Sequence, residues 1–205
     1  MAEPNRPTVT ALILAGGRSS RMGTDKARIP WQGIPLLTRV VCAANQCCAT
    51  VVVLTPWPEQ YADWVPPTVQ WLPEEHPDQG PLVALAQGLK QLNSTWVLLL
   101  ACDLPCLDPQ ILQSWIQMTG AFPYSDPLAA APPIWAYVPR SPQGWEPLCA
   151  LYHVCCQSSL QTFIEQGGRS FQRWLGQIPV QTLPLTPRVS AMLWNCNTPQ
   201  DLLEG

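Results

Sequence analysis

Apolar residues fall in short runs along this chain, and through the first 118 residues the runs alternate between two characters. Val9–Ala15 is a mostly apolar stretch closed by Gly16-Gly17, the pattern of a buried strand covered on both faces. Leu36, Leu37, Val40, Val41 and Ala44 then recur at three-to-four spacing, which predicts a helix over Leu36–Asn45, just after Gly33 and Pro35. Thr50–Leu54 reads as a second strand. The segment from Thr55 to Gln79 is rich in Pro, Trp and acids; it predicts a short strand at Val69–Leu72 and marks its intervening helix only weakly. Beyond Gly80-Pro81, the stripe Leu82, Leu85, Ala86 and Leu89 predicts a helix over Leu82–Leu92. Thr95–Cys102 is the clearest strand in the chain, and Asp108-Pro109 supplies an N-cap and an N1 proline for a helix through Met118.

Short strand-to-helix crossovers of this kind favour right-handed connections and a mostly parallel central sheet with helices on both faces, a three-layer α/β fold. The second half is less regular. Ile134–Val138 and Leu148–Tyr152 read as strands, Cys155–Glu165 and Ser170–Leu175 as helical pieces, and Thr198-Pro199-Gln200-Asp201 as the start of a final short helix. No internal repeat is visible, and 205 residues fit one domain. Within it, residues 14–26 form the candidate phosphate loop, 95–105 the strand leading to a candidate metal ligand, and 134–203 the wall of the acceptor side.

Composition narrows the function. Hydrophobic residues make up 47% and charged residues only 12%, so solubility leans on neutral polar side chains, and the 24 prolines punctuate the apolar runs. The net charge of −3 argues against broad nucleic-acid binding, and the ten tryptophans are not interleaved with a basic stripe. Its distribution is uneven: residues 1–40 carry six basic and two acidic groups, the remainder five basic and twelve acidic. No apolar run approaches the ~20 residues that span a bilayer, and Met1–Thr8 lacks the pattern of a signal peptide, so a cytoplasmic address without membrane contact is expected. Nine cysteines without a C-x2-C repeat, and two histidines far apart in sequence at 76 and 153, suggest neither a disulfide framework nor a zinc site.

The chemistry concentrates in Leu14-Ala15-Gly16-Gly17-Arg18-Ser19-Ser20-Arg21-Met22-Gly23-Thr24-Asp25-Lys26. Glycines after a buried strand allow main-chain N–H groups to surround phosphate oxygens, and Ser19 and Ser20 add donors. Arg21 and Lys26 supply positive charge where leaving-group charge would build. Neither G-x-G-x-x-G nor G-x4-G-K-[ST] is present, which sets aside dinucleotide and Walker-type readings. A bland reading, a plain strand-to-helix turn with a solvated basic face, fits a lone Gly-Gly better than this dense cluster. Asp103 follows the Thr95–Cys102 strand, at the carboxyl edge where open α/β sheets place ligands; it suits magnesium, which needs one or two carboxylates plus substrate phosphates. Its bland alternative is an acid that caps the turn at Leu104-Pro105. Asp25 could orient Lys26 or Arg21, or contact a metal-bound water. Asp108 reads as a helix cap.

The string L-A-G-G-x-S-x-R-M-G-x-D-K at Leu14–Lys26 resembles the signature of the molybdenum cofactor guanylyltransferases, nucleotidyltransferases built on a Rossmann-like sheet. Further landmarks follow in the family's order: Gly33-Ile34-Pro35-Leu36, Gly80-Pro81-Leu82, Cys102-Asp103-Leu104-Pro105, Glu146–Tyr152 and Asn195–Leu202. The resemblance implies transfer of GMP from GTP to molybdenum-molybdopterin, forming the guanine dinucleotide cofactor and pyrophosphate, with Mg2+. It implies that Leu14, Ala15 and Gly16, together with Gly17 and Ser19 of the loop, face GTP, that Lys26 contacts its phosphates, that Asp103 is the metal ligand, and that Gly80, Pro81 and Leu82 lie near the base. Asn195 and Asn197 would help shape the acceptor side, where Trp145 or Trp194 could stack on the pterin.

One departure stands out. The family usually carries an aspartate shortly before its G-P-L turn, where this chain reads Pro73-Glu74-Glu75-His76-Pro77-Asp78-Gln79. Glu74 or Glu75 could replace it, or Asp78 by a register shift. An L-A-A-G opening would have favoured cytidylyl transfer; related cytidylyl or sugar-nucleotide transferases are the near alternative, and a non-catalytic GTP-binding regulator the distant one. A monomer or weak oligomer that docks transiently on molybdenum cofactor enzymes is compatible with the low surface charge.

Overall fold

A computed structural model of the chain describes residues 7–16, 25–120 and 133–196. Its strands are β1 (Val9–Leu14), β2 (Pro30–Trp31), β3 (Ile34–Pro35), β4 (Thr50–Thr55), β5 (Gln70–Pro73), β6 (Trp96–Ala101), β7 (Ala136–Ser141), β8 (Gly144–Trp145), β9 (Cys149–His153) and β10 (Val180–Leu183). Its α-helices are α1 (Leu36–Asn45), α2 (Pro81–Gln91), α3 (Pro109–Thr119), α4 (Gln157–Glu165), α5 (Phe171–Leu175) and α6 (Pro187–Met192). The main sheet runs β10-β7-β9-β6-β1-β4-β5, with β8 paired to β7 and a separate β2–β3 hairpin. β5, β4, β1 and β6 are mutually parallel, as the alternating runs predict.

The main sheet is mostly parallel, as expected, with one strand of its path running against the others. β9 runs antiparallel to both β6 and β7, so the sheet is mixed. The segment joining β7 to β9 carries only the two-residue β8, too short for a crossover, and such a link can reverse the chain but not return it parallel. The expected helix over Cys155–Glu165 is also divided, into a 3-10 turn at Val154–Cys156 and α4. The final helix expected at Thr198–Asp201 lies outside the described residues.

Alternation along the strands divides the core in two. Ala11, Ile13, Val51, Val53, Leu98 and Leu100 face α1 and α3, meeting Leu37, Val40, Val41 and Leu112. Leu12, Val52, Leu54, Val97 and Leu99 face the other way, onto Leu85 and Leu89 of α2 and Leu160 of α4. Because successive strand side chains point to opposite faces, a strand apolar at every position must be covered on both, and this is the three-layer arrangement the runs imply. Under α4 and α5, Tyr152, Phe171 and Trp174 pack ring to ring at 5.9–6.3 Å, and the Tyr152 hydroxyl donates to the Pro147 carbonyl at 2.9 Å.

The helix cap read at Asp108 is present. Asp108 caps α3, accepting from the Gln110 and Ile111 amides at 2.9 and 3.4 Å, and pairs with Arg188 at 2.6 Å. All nine cysteines are free thiols, several of them buried. Burial pushes the Cys48 and Cys155 thiols up to about 12, so they behave as small apolar groups. No helix of the described residues is long and apolar enough to cross a membrane.

Two consequences can be measured. Gly88 of α2 lies where an added methyl would run into Leu12 Cδ2 of β1, and both residues are buried. Overpacking of about 1–3 kcal/mol exceeds the ~1 kcal/mol gain in helix propensity, so Gly88→Ala should lower stability in denaturant titration. His153, buried at the end of β9, accepts the Cys155 amide on Nδ1 at 3.0 Å and meets the Trp96 ring edge-on at 4.8 Å. Burial pushes its pKa down to about 4 from 6.5. The unfolded chain therefore binds the proton first: this group's contribution is complete above pH 6.5 and is lost as the pH falls towards 4. Thermal melts across that range should show a flatter acid limb in His153→Gln than in the parent.

Candidate active site

The cleft opens where the strand order reverses. From β1 the chain passes through α1 to β4 on one side, and from β5 through α2 to β6 on the other, leaving a crevice at the carboxyl ends of β1 and β6. Register brings those ends level, since Leu14 pairs with Ala101. The Cys102 amide donates to the Leu14 carbonyl at 3.2 Å, and the Ala15 amide to Leu54 at 2.9 Å. A cavity of about 400 Å³ results, floored by Leu14, Ala15 and Gly16.

Lys26 and Asp103, separated by 77 positions in sequence, meet across this floor. Lys26 Nζ lies 3.1 Å from Asp103 Oδ2, and both side chains remain about one-fifth exposed. Lys26 stands on a 3-10 turn, Lys26–Arg28, whose N-cap is Asp25. Asp25 Oδ1 accepts the Ala27 amide at 3.0 Å; Oδ2 accepts the Tyr61 hydroxyl at 2.5 Å and lies 3.5 Å from Arg28 Nε. Among the described residues Asp25 thus partners Tyr61 and Arg28, and its link to Lys26 runs through the turn it caps.

The third wall is the link from β5 to α2. Gly80 adopts φ +88° as the N-cap of α2, a conformation that favours glycine, and Pro81 follows at N1. Gly80 and Pro81 line the cavity, whereas the Leu82 side chain is buried in the core behind it. Of the three acids that could replace the family aspartate, Glu74 and Asp78 line the cavity, and Glu75 instead accepts from Gln91 Nε2. Glu74 lies against Gly16, where a Cβ would come 2.6 Å from its Oε2. Burial, reinforced by Asp78, raises the Glu74 pKa. Buried Gln87 fixes this wall: its Nε2 donates to the Pro73 carbonyl at 2.7 Å and its Oε1 accepts the Glu75 amide at 2.9 Å. Periodicity placed Gln87 on α2 without hinting at that role.

On the fourth side, Leu148 lines the cavity and its carbonyl accepts the Ala101 amide at 2.9 Å. The Cys196 amide donates to the Asp103 carbonyl at 2.9 Å, which brings the main chain here to the end of β6, but the exposed Asn195 side chain donates to the Leu193 carbonyl at 3.3 Å and is not part of the cavity lining. Trp145 carries the Arg140 guanidinium at 4.9 Å and is bracketed on its backbone by Gln172, while Trp194 packs on Trp31 at 6.3 Å. Gly17, Ser19, Arg21 and Asn197 lie outside the described residues.

The described lining carries four carboxylates, Asp25, Glu74, Asp78 and Asp103, against Lys26 alone. A polyphosphate entering such a cleft requires added positive charge. Among the described residues no group of three or more His, Cys, Asp or Glu side chains gathers as a metal cage. Asp103 nonetheless presents a hard oxygen donor at the strand edge, and its ion pair to Lys26 uses one carboxylate oxygen; a single carboxylate completed by phosphates and waters fits magnesium rather than zinc.

Comparison with known proteins agrees with this architecture. The chain is 49% identical over 195 residues to a probable molybdenum cofactor guanylyltransferase of Trichormus variabilis, covering 95% of this chain and 88% of that protein. It is 45% identical over 193 residues to a counterpart with the same description in Synechococcus elongatus, covering 93% and 94%. The fold superposes with a TM-score of 0.74, at 20% identity and 95% coverage of both chains, on the crystal structure of molybdopterin-guanine dinucleotide biosynthesis protein A from Archaeoglobus fulgidus. A profile of the MobA-like NTP transferase domain matches residues 11–180. The chain therefore belongs to the MobA-like NTP transferase family, the family of the molybdenum cofactor guanylyltransferases, with its α/β nucleotidyltransferase fold.

Proposed function

We propose that this protein transfers GMP from GTP to the terminal phosphate of molybdenum-molybdopterin, releasing pyrophosphate. The observation that carries the reading is the meeting of Lys26 and Asp103 over the main chain of Leu14–Gly16, in a relative of proteins described as guanylyltransferases. In this reaction an oxygen of the acceptor phosphate forms a bond to the α-phosphorus of GTP, and the bond from that phosphorus to the oxygen bridging to the β-phosphate breaks in line. The acceptor phosphate is already ionised at neutral pH, so no strong general base is needed.

The difficulty is bringing two anions together. Lys26 neutralises charge on the leaving pyrophosphate, joined by Arg21 and the main-chain amides and hydroxyls of the loop that includes Gly17 and Ser19. Asp103 would hold Mg2+, which when bound supplies positive charge to the α-phosphate and its equatorial oxygens. Gly16 gives the phosphates close access to backbone. Glu74, with Gly80 and Pro81, faces the base, and Glu74 stands in for the family aspartate. The main chain at Cys196, tied to the Asp103 carbonyl, borders the acceptor side.

Magnesium-dependent pyrophosphate release, measured with GTP, CTP, ATP and UTP in the presence and absence of molybdenum-molybdopterin, tests the assignment. Release is expected with GTP only when acceptor is present; equal use of CTP, or GTP binding without turnover, refutes it. Lys26→Ala and Asp103→Ala should each remain folded by circular dichroism and lose about 10²–10³-fold in kcat/KM, the usual effect of removing one preorganised charge. Gly16→Ala places a methyl 2.6 Å from Glu74 Oε2 and 3.2 Å from Pro56 Cδ, and should raise KM for GTP.

A further inference from the structure

The segment between β4 and β5, the least patterned stretch of the first half, is folded into two 3-10 turns, Pro58–Gln60 and Ala62–Trp64, with Tyr61 between them. It lies directly beneath the turn that carries Lys26. Tyr61 is completely buried, and its hydroxyl donates to Asp25 Oδ2 at 2.5 Å. Arg28, at the other end of the same turn, is gripped by the crossover: its Nη2 donates to Gln60 Oε1 at 2.6 Å, and its guanidinium lies 5.7 and 5.5 Å from the ring centres of Tyr61 and Trp64. Trp64 is fastened in turn to α1, since the Thr38 hydroxyl donates to its carbonyl at 2.8 Å.

We propose that Tyr61 and Arg28 are positioning residues: acting through Asp25 and the Lys26–Arg28 turn, they fix where the Lys26 ammonium stands over the cleft. The proposal rests on the role given to Lys26 in the transfer reaction. A three-residue 3-10 turn is too short to hold its own shape, and a lysine on it has a flexible four-carbon stem. The Asp103 contact holds the tip of that stem, and what holds the turn at its base decides where the stem starts. The crossover supplies this at both ends, a carboxylate anchored on a phenol and a guanidinium anchored on the Gln60 side-chain amide and two rings. Burial pushes the Tyr61 phenol well above its usual range, with the Asp25 bond adding to the shift, so it stays a donor throughout the working pH range.

The test compares Tyr61→Phe and Arg28→Gln with the parent, reading kcat and KM for GTP, melting temperature, and crystal structures. Charge on the leaving pyrophosphate develops in the transition state, so misplacing the ammonium should fall on kcat, by about ten- to a hundredfold, with KM for GTP changed by about twofold or less. In a Lys26→Ala background Tyr61→Phe should cost nothing further. Crystals of Tyr61→Phe should show Lys26 Nζ displaced from the 3.1 Å contact with Asp103. Arg28 is exposed, so its variant keeps the test open if Tyr61→Phe does not fold. A folded Tyr61→Phe or Arg28→Gln protein with parental kcat, or with the lysine contact unchanged, overturns the proposal. If the parent is itself inactive with GTP and acceptor, the transferase reading fails, while the crystallographic comparison still decides whether the tether places Lys26.

Discussion

The cleft depends on the register in which β1 lies against β6. Pairing Leu14 with Ala101, with the Cys102 amide donating to the Leu14 carbonyl, ends the two strands at one level and sets Gly16 and Asp103 on the same rim. Side chains alternate with a period of two, so a slip by one residue would turn Leu12 and Ile13 into each other's cores. It would also carry Asp103 along by about 3.3 Å, a shift as large as its present contact with the ammonium. Two apolar layers that accept only one register are thus what bring a remote acid to a remote lysine.

Against that apolar background the cleft is electrically unusual. Charged residues form 12% of the chain, yet Asp25, Lys26, Glu74, Asp78 and Asp103 all line one cavity. Outside it several glutamines work as struts: Gln87 braces the end of β5, Gln172 holds β8, and Gln60 grips Arg28. Neutral struts hold geometry without adding to the field of the charged side chains at the cleft.

Much of the first half was legible in the sequence because burial on both faces writes itself as an unbroken apolar run, and helices between such runs as a three-to-four stripe. The direction of β9 was not legible, since a strand buried on both faces reads the same whichever way it runs; only the short link through β8 decides it. Asp103 and Lys26 could be singled out from residue type and place. The choice of Glu74 and Asp78 over Glu75 could not, because neighbouring acids differ only in where the backbone aims them. The Tyr61 tether was hidden for another reason: it rests on one phenol and one stacked guanidinium in a stretch without periodicity, where no pattern distinguishes a contact residue from a filler.

The hydrogen bond from the Cys196 amide to the Asp103 carbonyl joins positions made far apart in time as well as in sequence. As the chain leaves the ribosome, β1, β4, β5 and β6 can already lie side by side, with the floor of the cleft between them, before residue 196 has been added. The strap across the rim can therefore close only after every strand flooring the cleft has been made, which leaves that side of the rim the last to be bounded.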